Sequence, residues 1–190
     1  MKGNVPSNLN HLPIDLILDS PKKNYDNIYV FDCGNSERLG DLEEIALNSA
    51  RVIVVDHHIN PSFGDIQVID SNAASTTQVL FREILSAKIA IDKNIANCLM
   101  TGLITDTGRF QYSNTDNEVF EIASKLMLSG AELTSISDNI YGSIPLNAIK
   151  LQSEVLNRIE LYEDEELVVS YVLQEDYQNY NIDSLSLIHI

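Results

Sequence analysis

Apolar residues along this chain follow two patterns, short continuous runs and stripes that recur every three or four positions. Continuous runs at 28–31, 52–55 and 66–69 are typical of strands buried in a parallel sheet. Between the first two runs, residues 42–46 carry the spacing of a short helix. The order strand, helix, strand predicts a βαβ unit, with parallel pairing and a right-handed crossover.

Helical stripes dominate the middle of the chain. Ser75 and Thr115 each precede such a stripe and have Gln or Glu three residues later, which predicts a capping box at both positions. Asp92 predicts a third helix start, and a further helix follows Pro145. After residue 159 the period changes to that of two strands joined by an acidic turn.

The composition limits the classes of partner. The chain has 190 residues, of which 12 are basic and 28 acidic, giving a net charge of −16. This balance argues against binding long nucleic acid, which needs basic stripes. It is compatible with small phosphorylated ligands, because a bound divalent cation can dominate the local field.

The compartment is predicted from what the sequence lacks. No apolar run is long enough to span a membrane, and the amino terminus has no secretory signal. Cys33 and Cys98 make no disulfide framework, so we expect a cytoplasmic protein. Both thiols are expected to be small buried side chains rather than catalysts.

Acidic and histidine side chains follow the predicted elements at the points where each ends. Asp56, His57 and His58 come directly after the run at 52–55, and Asp32 follows the run at 28–31. Asp106 lies at the end of a predicted helix, where a carboxylate is unfavourable to the helix dipole and needs a positive partner. In open α/β sheets function lies beyond the carboxyl ends of the strands, which makes these residues candidates for one site.

The chemistry of Asp32, His57 and Asp106 favours a metal. Carboxylates with one imidazole suit Mn²⁺ or Mg²⁺ better than structural zinc, and two such ions can clamp a phosphate. Arg109 can hold a phosphate with its planar fork or form a surface salt bridge. The helix start at Ser75 can hold an anion or be a cap alone.

Several motifs together resemble a known family. Asp56-His57-His58, followed by the segments 105–110 and 112–115, is similar to the DHH phosphoesterase superfamily. Within it, the likeness is to the bacterial nanoRNase/pAp-phosphatase family, which degrades very short oligoribonucleotides and dephosphorylates 3′-phosphoadenosine 5′-phosphate (pAp). Segments 32–34 and 73–77 match two further motifs of that family, and the likeness covers roughly residues 5–176.

The resemblance implies a fold and a division of the chain. It implies a three-layer, Rossmann-like α/β domain with a mainly parallel sheet at 1–143, truncated at its amino terminus. A connecting helix at 144–158 would follow. Residues 159–190 would begin a second α/β domain of the DHHA1 type, which binds substrate.

The resemblance also implies roles for the metal candidates. Asp32 would bridge two Mn²⁺ ions, with Mg²⁺ as the alternative ion. His57 and Asp106 would complete the ligands of one of these ions. Asp56 would orient an imidazole from behind and so support catalysis.

Four side chains are implied in contacts with the substrate. His58 would face the scissile phosphate and stabilise the charge or the leaving group. Arg109 would contribute to catalysis and contact phosphate, and Ser75 and Thr76 would contact substrate. The partners are then short oligoribonucleotides or small nucleotides, with neither a membrane nor long nucleic acid, and a homodimer is allowed.

Departures from the family pattern leave other readings open. The family's first motif, His-x-x-Pro-Asp-Gly-Asp, and most of the carboxyl-terminal domain are absent, so we expect an internal fragment with impaired activity. One alternative is another member of the superfamily, such as a cyclic- or linear-dinucleotide phosphodiesterase, an exopolyphosphatase or a family II pyrophosphatase. A Ser-Arg-Lys-Lys type motif, typical of those pyrophosphatases, does not occur. The other alternative is a non-catalytic nucleotide-binding remnant.

Overall fold

A computed structural model of the chain describes residues 5–18, 21–22, 24–59, 62–142 and 144–182. The chain folds into two compact units, the first ending at Ile140 and the second beginning at Tyr141. The predicted scheme of a domain at 1–143, a connecting helix at 144–158 and a second domain from 159 stays a prediction. Within the described ranges, no helix combines the length and the apolar composition needed to cross a bilayer.

The first unit is built on a parallel sheet of three strands: β1 (Ile28–Phe31), β2 (Val52–Asp56) and β3 (Ile66–Ile69). Their order is β1-β2-β3, and both pairings are parallel, as the apolar runs predicted. All five residues of β2 are buried because this strand lies in the middle of the sheet. The mixed α/β fold with a parallel sheet is therefore confirmed.

The crossover from β1 to β2 contains the predicted helix in a reduced form. A 3₁₀ segment, Ser36–Leu42, bends at Gly40 and leads into the short helix α1 (Glu43–Leu47). Gly40 has a φ of 54°, a left-handed conformation that favours glycine. Ala46 is the buried residue of α1, so this helix contributes little to the core.

Four longer helices follow the sheet, and the last of them ends one residue beyond the first unit. They are α2 (Thr76–Ser86), α3 (Lys93–Asp106), α4 (Asn117–Leu128) and α5 (Leu133–Tyr141). Helix α3 packs against both α2 and α4, and Met100 and Leu103 on α3 are fully buried. Ser75 and Asp92 cap α2 and α3 as predicted.

Two local predictions are wrong. The cap of α4 is Asp116, whose carboxylate accepts the Val119 amide, and not Thr115. Both residues fit a cap in sequence, but the chain enters the helix one residue later than the Thr–Glu spacing suggested. Cys33 is buried, whereas Cys98 is exposed because it faces away from the side of α3 that packs on its neighbours.

The second unit contains α6 (Leu146–Asn157), an antiparallel hairpin of β4 (Glu160–Tyr162) and β5 (Leu167–Val169), and α7 (Gln174–Asn179). The helix after Pro145 and the hairpin agree with the sequence pattern, and α7 was not predicted. Asp176 on α7 is buried and pairs with both terminal nitrogens of Arg158. This pairing holds the pKa of Asp176 at about 2.

Candidate metal centre

Asp32 begins the candidate site directly after β1. Its φ of 56° is unusual for a residue other than glycine, and such strain persists only where surrounding contacts impose it. Its backbone amide donates to Val55 O at 3.1 Å, which ties this residue to the end of β2. About half of the carboxylate-bearing side chain is exposed, so its oxygens face the mouth of the site.

Asp56 ends β2 and is completely buried. Its Oδ1 accepts hydrogen bonds from the amides of His57 (2.7 Å) and His58 (3.1 Å) and contacts His58 Nδ1 at 2.7 Å. Burial acts to raise the pKa of Asp56, but the hydrogen bonds from His58 and His57 outweigh it and lower the pKa. A charged carboxylate therefore fixes the turn and the His58 ring.

His57 presents one ring nitrogen to the site and uses the other for support. Nδ1 lies 3.2 Å from Ala73 O, and since a carbonyl oxygen only accepts, Nδ1 carries the proton in this contact. Nε2 faces the two acids, 3.6 Å from Asp32 Oδ1 and 3.8 Å from Asp106 Oδ2. A backbone carbonyl behind one imidazole nitrogen is the usual support of a metal-binding histidine.

Asp106 is the last residue of α3. Burial raises the pKa of its carboxyl, and the nearby Asp32 carboxylate raises it further. The Asn114 side chain donates from Nδ2 to Asp106 O at 3.0 Å and to Ala74 O at 3.1 Å. The backbone of Asp106 is thereby tied to the loop that also supports His57.

The structure thus brings Asp32, His57 and Asp106 together at one edge of the sheet. Asp32, Asp56, His57 and His58 each offer a ligand atom, and these four atoms lie within 4.8 Å of one another. Asp106 joins this cluster through its contact with His57. We call these five side chains the metal-centre cluster.

Two observations test whether the metal-centre cluster fits a cation. Asp56 Oδ2 is buried and has no hydrogen-bond partner among the residues that the structure describes, which is costly for a carboxylate oxygen. A Cβ on Gly34 would lie 3.8 Å from this oxygen and 3.6 Å from His58 Cβ, so the glycine leaves the space beside Asp56 Oδ2 unfilled. Carboxylate oxygens with an imidazole are ligands that Mn²⁺ or Mg²⁺ accepts, and the residues fit such an ion.

The other predicted site residues take different positions. His58 is the half-exposed histidine of the metal-centre cluster, and Thr76 donates from Oγ1 to Asp32 Oδ1 at 2.8 Å. Ser75 is fully buried, with its hydroxyl accepting the Gln78 amide. Arg109 is exposed on the turn after α3. Substrate contacts of Ser75, Thr76 and Arg109 stay predictions.

The turn after α3 is conformationally restricted. Gly108, Arg109 and Phe110 all have left-handed φ values, of 54°, 61° and 65°. A Cβ on Gly108 would lie 2.4 Å from the Tyr112 ring, so both its φ and its surroundings require glycine. The conformation of the backbone therefore explains why the segment 105–110, which resembles a family motif, has glycine at position 108.

Two supporting groups were not found from the sequence. Asn114 was identified only as part of a motif, although its side-chain amide links Asp106 to Ala74 in the loop before α2. Arg82 lies one turn after Gln78 on α2, and both side chains donate to Glu118 on α4. The four-residue spacing of Gln78 and Arg82 indicates that they share a helix face. Nothing in the sequence indicates that Glu118 is their common acceptor.

The chain is similar in sequence to known proteins. The N-terminal domain of the DHH family matches residues 4–103 of the chain. A bifunctional oligoribonuclease and PAP phosphatase NrnA from Thermus thermophilus is 33% identical over 126 residues, which are 66% of this chain and 38% of that protein. A probable protein of the same name from Streptococcus mutans is 29% identical over 146 residues, which are 75% of this chain and 46% of that protein.

The fold has a counterpart among solved structures. An exopolyphosphatase-related protein from Bacteroides fragilis superposes with a TM-score of 0.81 and 24% sequence identity, over 97% of this chain and 59% of that chain. The chain spans less than half the length of the two curated relatives described above. Since the family match covers more than half of its residues, including Asp32 and the Asp-His-His triplet, the chain belongs to the DHH family, and it is similar to the NrnA proteins.

Proposed function

We propose that this chain is part of a metal-dependent phosphoesterase that hydrolyses very short oligoribonucleotides and pAp. The observation that carries the proposal is the convergence of Asp32, His57 and Asp106 at the carboxyl edge of the sheet. The activities in the names of the similar NrnA proteins support this choice of substrates.

The proposed metal ligands are Asp32, His57 and Asp106, with Mn²⁺ as the preferred ion and Mg²⁺ as the alternative. Their oxygens and imidazole nitrogen suit these ions. Asp56 Oδ2, which has no hydrogen-bond partner within the described part of the chain, adds negative charge to the same site. When bound, such an ion lowers the pKa of water and offsets the charge of a phosphate. Asp32, which is more exposed than Asp56 and Asp106, would hold two ions, as the family likeness implies.

His58 is the proposed proton donor to the leaving oxygen. Its Nδ1 lies 2.7 Å from Oδ1 of the charged Asp56, which orients the ring. The side chain is 45% exposed, so its other nitrogen is accessible to a substrate. Arg109, exposed on the turn after Asp106, is proposed to contact a phosphate of the substrate through its planar fork.

Hydrolysis and binding of pAp and the dinucleotide pApA, with Mn²⁺ and with EDTA, test this function. We expect Mn²⁺-dependent release of phosphate from pAp and of AMP from pApA, with both lost on Asp32→Asn. If the isolated chain turns over slowly, calorimetry still detects Mn²⁺-dependent binding of either nucleotide. Failure of both nucleotides to bind or react in the presence of Mn²⁺ would contradict the proposal, as would hydrolysis that is insensitive to EDTA.

A further inference from the structure

We propose that Thr76 is a positioning residue of the metal centre, whose hydroxyl holds the Asp32 carboxylate in the orientation that binds a cation. The inference rests on the proposed metal-dependent function. It gives Thr76 a role other than the direct contact with substrate that the sequence predicts, and that contact stays a prediction.

The contact is specific to one carboxylate oxygen. Thr76 Oγ1 lies 2.8 Å from Asp32 Oδ1 and 3.4 Å from Asp56 Oδ1. A hydroxyl has one proton to donate, and Asp56 Oδ1 already accepts from the amides and ring of the two histidines. The Thr76 proton therefore goes to Asp32.

Asp32 needs this support more than the other acids do. Asp56 is buried in β2 and Asp106 ends a long helix, whereas Asp32 lies in a strained left-handed conformation with a half-exposed side chain. The oxygen that accepts from Thr76 is also the oxygen that faces His57 Nε2 at 3.6 Å. Loss of the Thr76 contact would leave Asp32 free to rotate away from the other carboxylates, which repel it.

Thr76 is itself rigidly held. It is the first residue of α2, is 7% exposed, and has a β-branched side chain with restricted rotamers. The preceding Ser75 hydroxyl caps the helix, and Gln78 Oε1 accepts the Ala74 amide at 2.7 Å. The hydroxyl is thus delivered from a fixed helix start to a residue 44 positions away in sequence.

Calorimetric titration with Mn²⁺ of the wild-type chain, Thr76→Val, Thr76→Ser and Thr77→Val tests the assignment. Loss of an outer hydrogen bond to a ligand typically weakens metal affinity by about 10–100-fold, and we expect this for Thr76→Val. Thr76→Ser keeps the hydroxyl and should restore most of the affinity. Thr77 is the matched control, because its hydroxyl faces Gly102 on α3 instead of the cluster.

The possible results separate this inference from the proposed function. Wild-type affinity in Thr76→Val, with affinity lost in Asp32→Asn, would overturn the positioning role alone. Equal affinity in wild type and Asp32→Asn would overturn the metal site itself. If Thr76→Val does not fold, Thr76→Ala and Thr76→Ser give the same comparison. Weaker binding of pAp with unchanged affinity for Mn²⁺ would contradict the positioning role and support a direct contact between Thr76 and substrate.

Discussion

The first unit contains two acidic clusters, and the pKa values of acids in them are shifted in opposite directions. In the metal-centre cluster, burial and the neighbouring Asp32 raise the pKa of Asp106. In the second cluster, Arg82 donates to Glu118 and to Asp70, and these hydrogen bonds lower the pKa of both acids. We call this group of Asp70, Arg82 and Glu118 the Arg82 cluster.

The difference lies in which cation completes each cluster. The Arg82 cluster supplies its own, a guanidinium that engages both Glu118 oxygens and one oxygen of Asp70. The metal-centre cluster contains a buried carboxylate oxygen without a partner among the described residues. The Arg82 cluster therefore stabilises the fold as it is, whereas the metal-centre cluster would gain stability from the cation that we propose it binds.

The two clusters are also connected. Arg82 links the end of β3 to α2 and α4, and the loop between β3 and α2 carries Ala73 O and Ala74 O. These two carbonyl groups accept from His57 and Asn114 behind the metal centre. The Arg82 cluster and the metal-centre cluster therefore contact the same loop, through different residues.

The largest effect is expected for Asp106→Asn, which removes a proposed ligand. Affinity for Mn²⁺ should fall by about 100-fold or more, since even outer partners of ligands contribute about 10–100-fold. Glu118→Gln is the matched change in the Arg82 cluster and should leave the affinity near that of the wild type. Calorimetry measures both, and equal losses in the two variants would show that the clusters do not differ as described.

Arg82→Met should lower the free energy of unfolding by about 1–2 kcal/mol, because it removes the charged donor that two partly buried carboxylates share. Lys93 pairs with Glu132 at 3.0 Å, and both side chains are more than half exposed. Lys93→Met should therefore cost less than about 0.5 kcal/mol. Urea unfolding compares them, and an equal cost in both variants would contradict the structural role of the Arg82 cluster.

Acid should weaken the Arg82 cluster. The folded-state pKa values of Asp70 and Glu118 lie below their ordinary values of 3.8 and 4.5. Their contribution is therefore complete above about pH 4.5 and is lost as the pH falls through the lowered folded-state values. Urea unfolding between about pH 3 and 7 should show a steeper acid loss in the wild type than in Arg82→Met. Parallel curves would argue against these pairs.

A smaller effect of opposite sign is expected from Asp106→Asn without metal. At neutral pH the substitution removes a charge that burial and Asp32 disfavour. The free energy of unfolding in EDTA should then rise by about 0.5 kcal/mol, in exchange for lost function. A fall in stability would indicate that the carboxylate is already balanced within the protein.

The sheet and the core of the site could be predicted because their signals are local. The continuous apolar run of β2 leads directly into Asp56, and parallel strands end at a common edge, so Asp32 and His57 had to lie close together. The helix end at Asp106 was marked by the following glycine. For these residues, the position at which a strand or helix ends in the sequence is enough to predict where the side chain lies in the fold.

The supporting contacts could not be predicted in the same way. Thr76 contacts Asp32, which is 44 positions away in sequence, and Arg82 contacts Glu118, which is 36 positions away. Contacts at such separations produce no periodic pattern in the sequence. Cys98 was misplaced because the burial tendency of cysteine does not say which side of α3 it occupies. These details depend on how the helices pack, which residue patterns do not specify.

The most direct test is the change in the free energy of unfolding that Mn²⁺ produces in the wild type, Asp32→Asn and Asp70→Asn. At about 100 times the dissociation constant, a ligand that binds only the folded state adds about 2.7 kcal/mol. We predict this gain for the wild type, the same gain from a lower baseline for Asp70→Asn, and almost none for Asp32→Asn. An equal gain in Asp32→Asn and the wild type would contradict the metal centre.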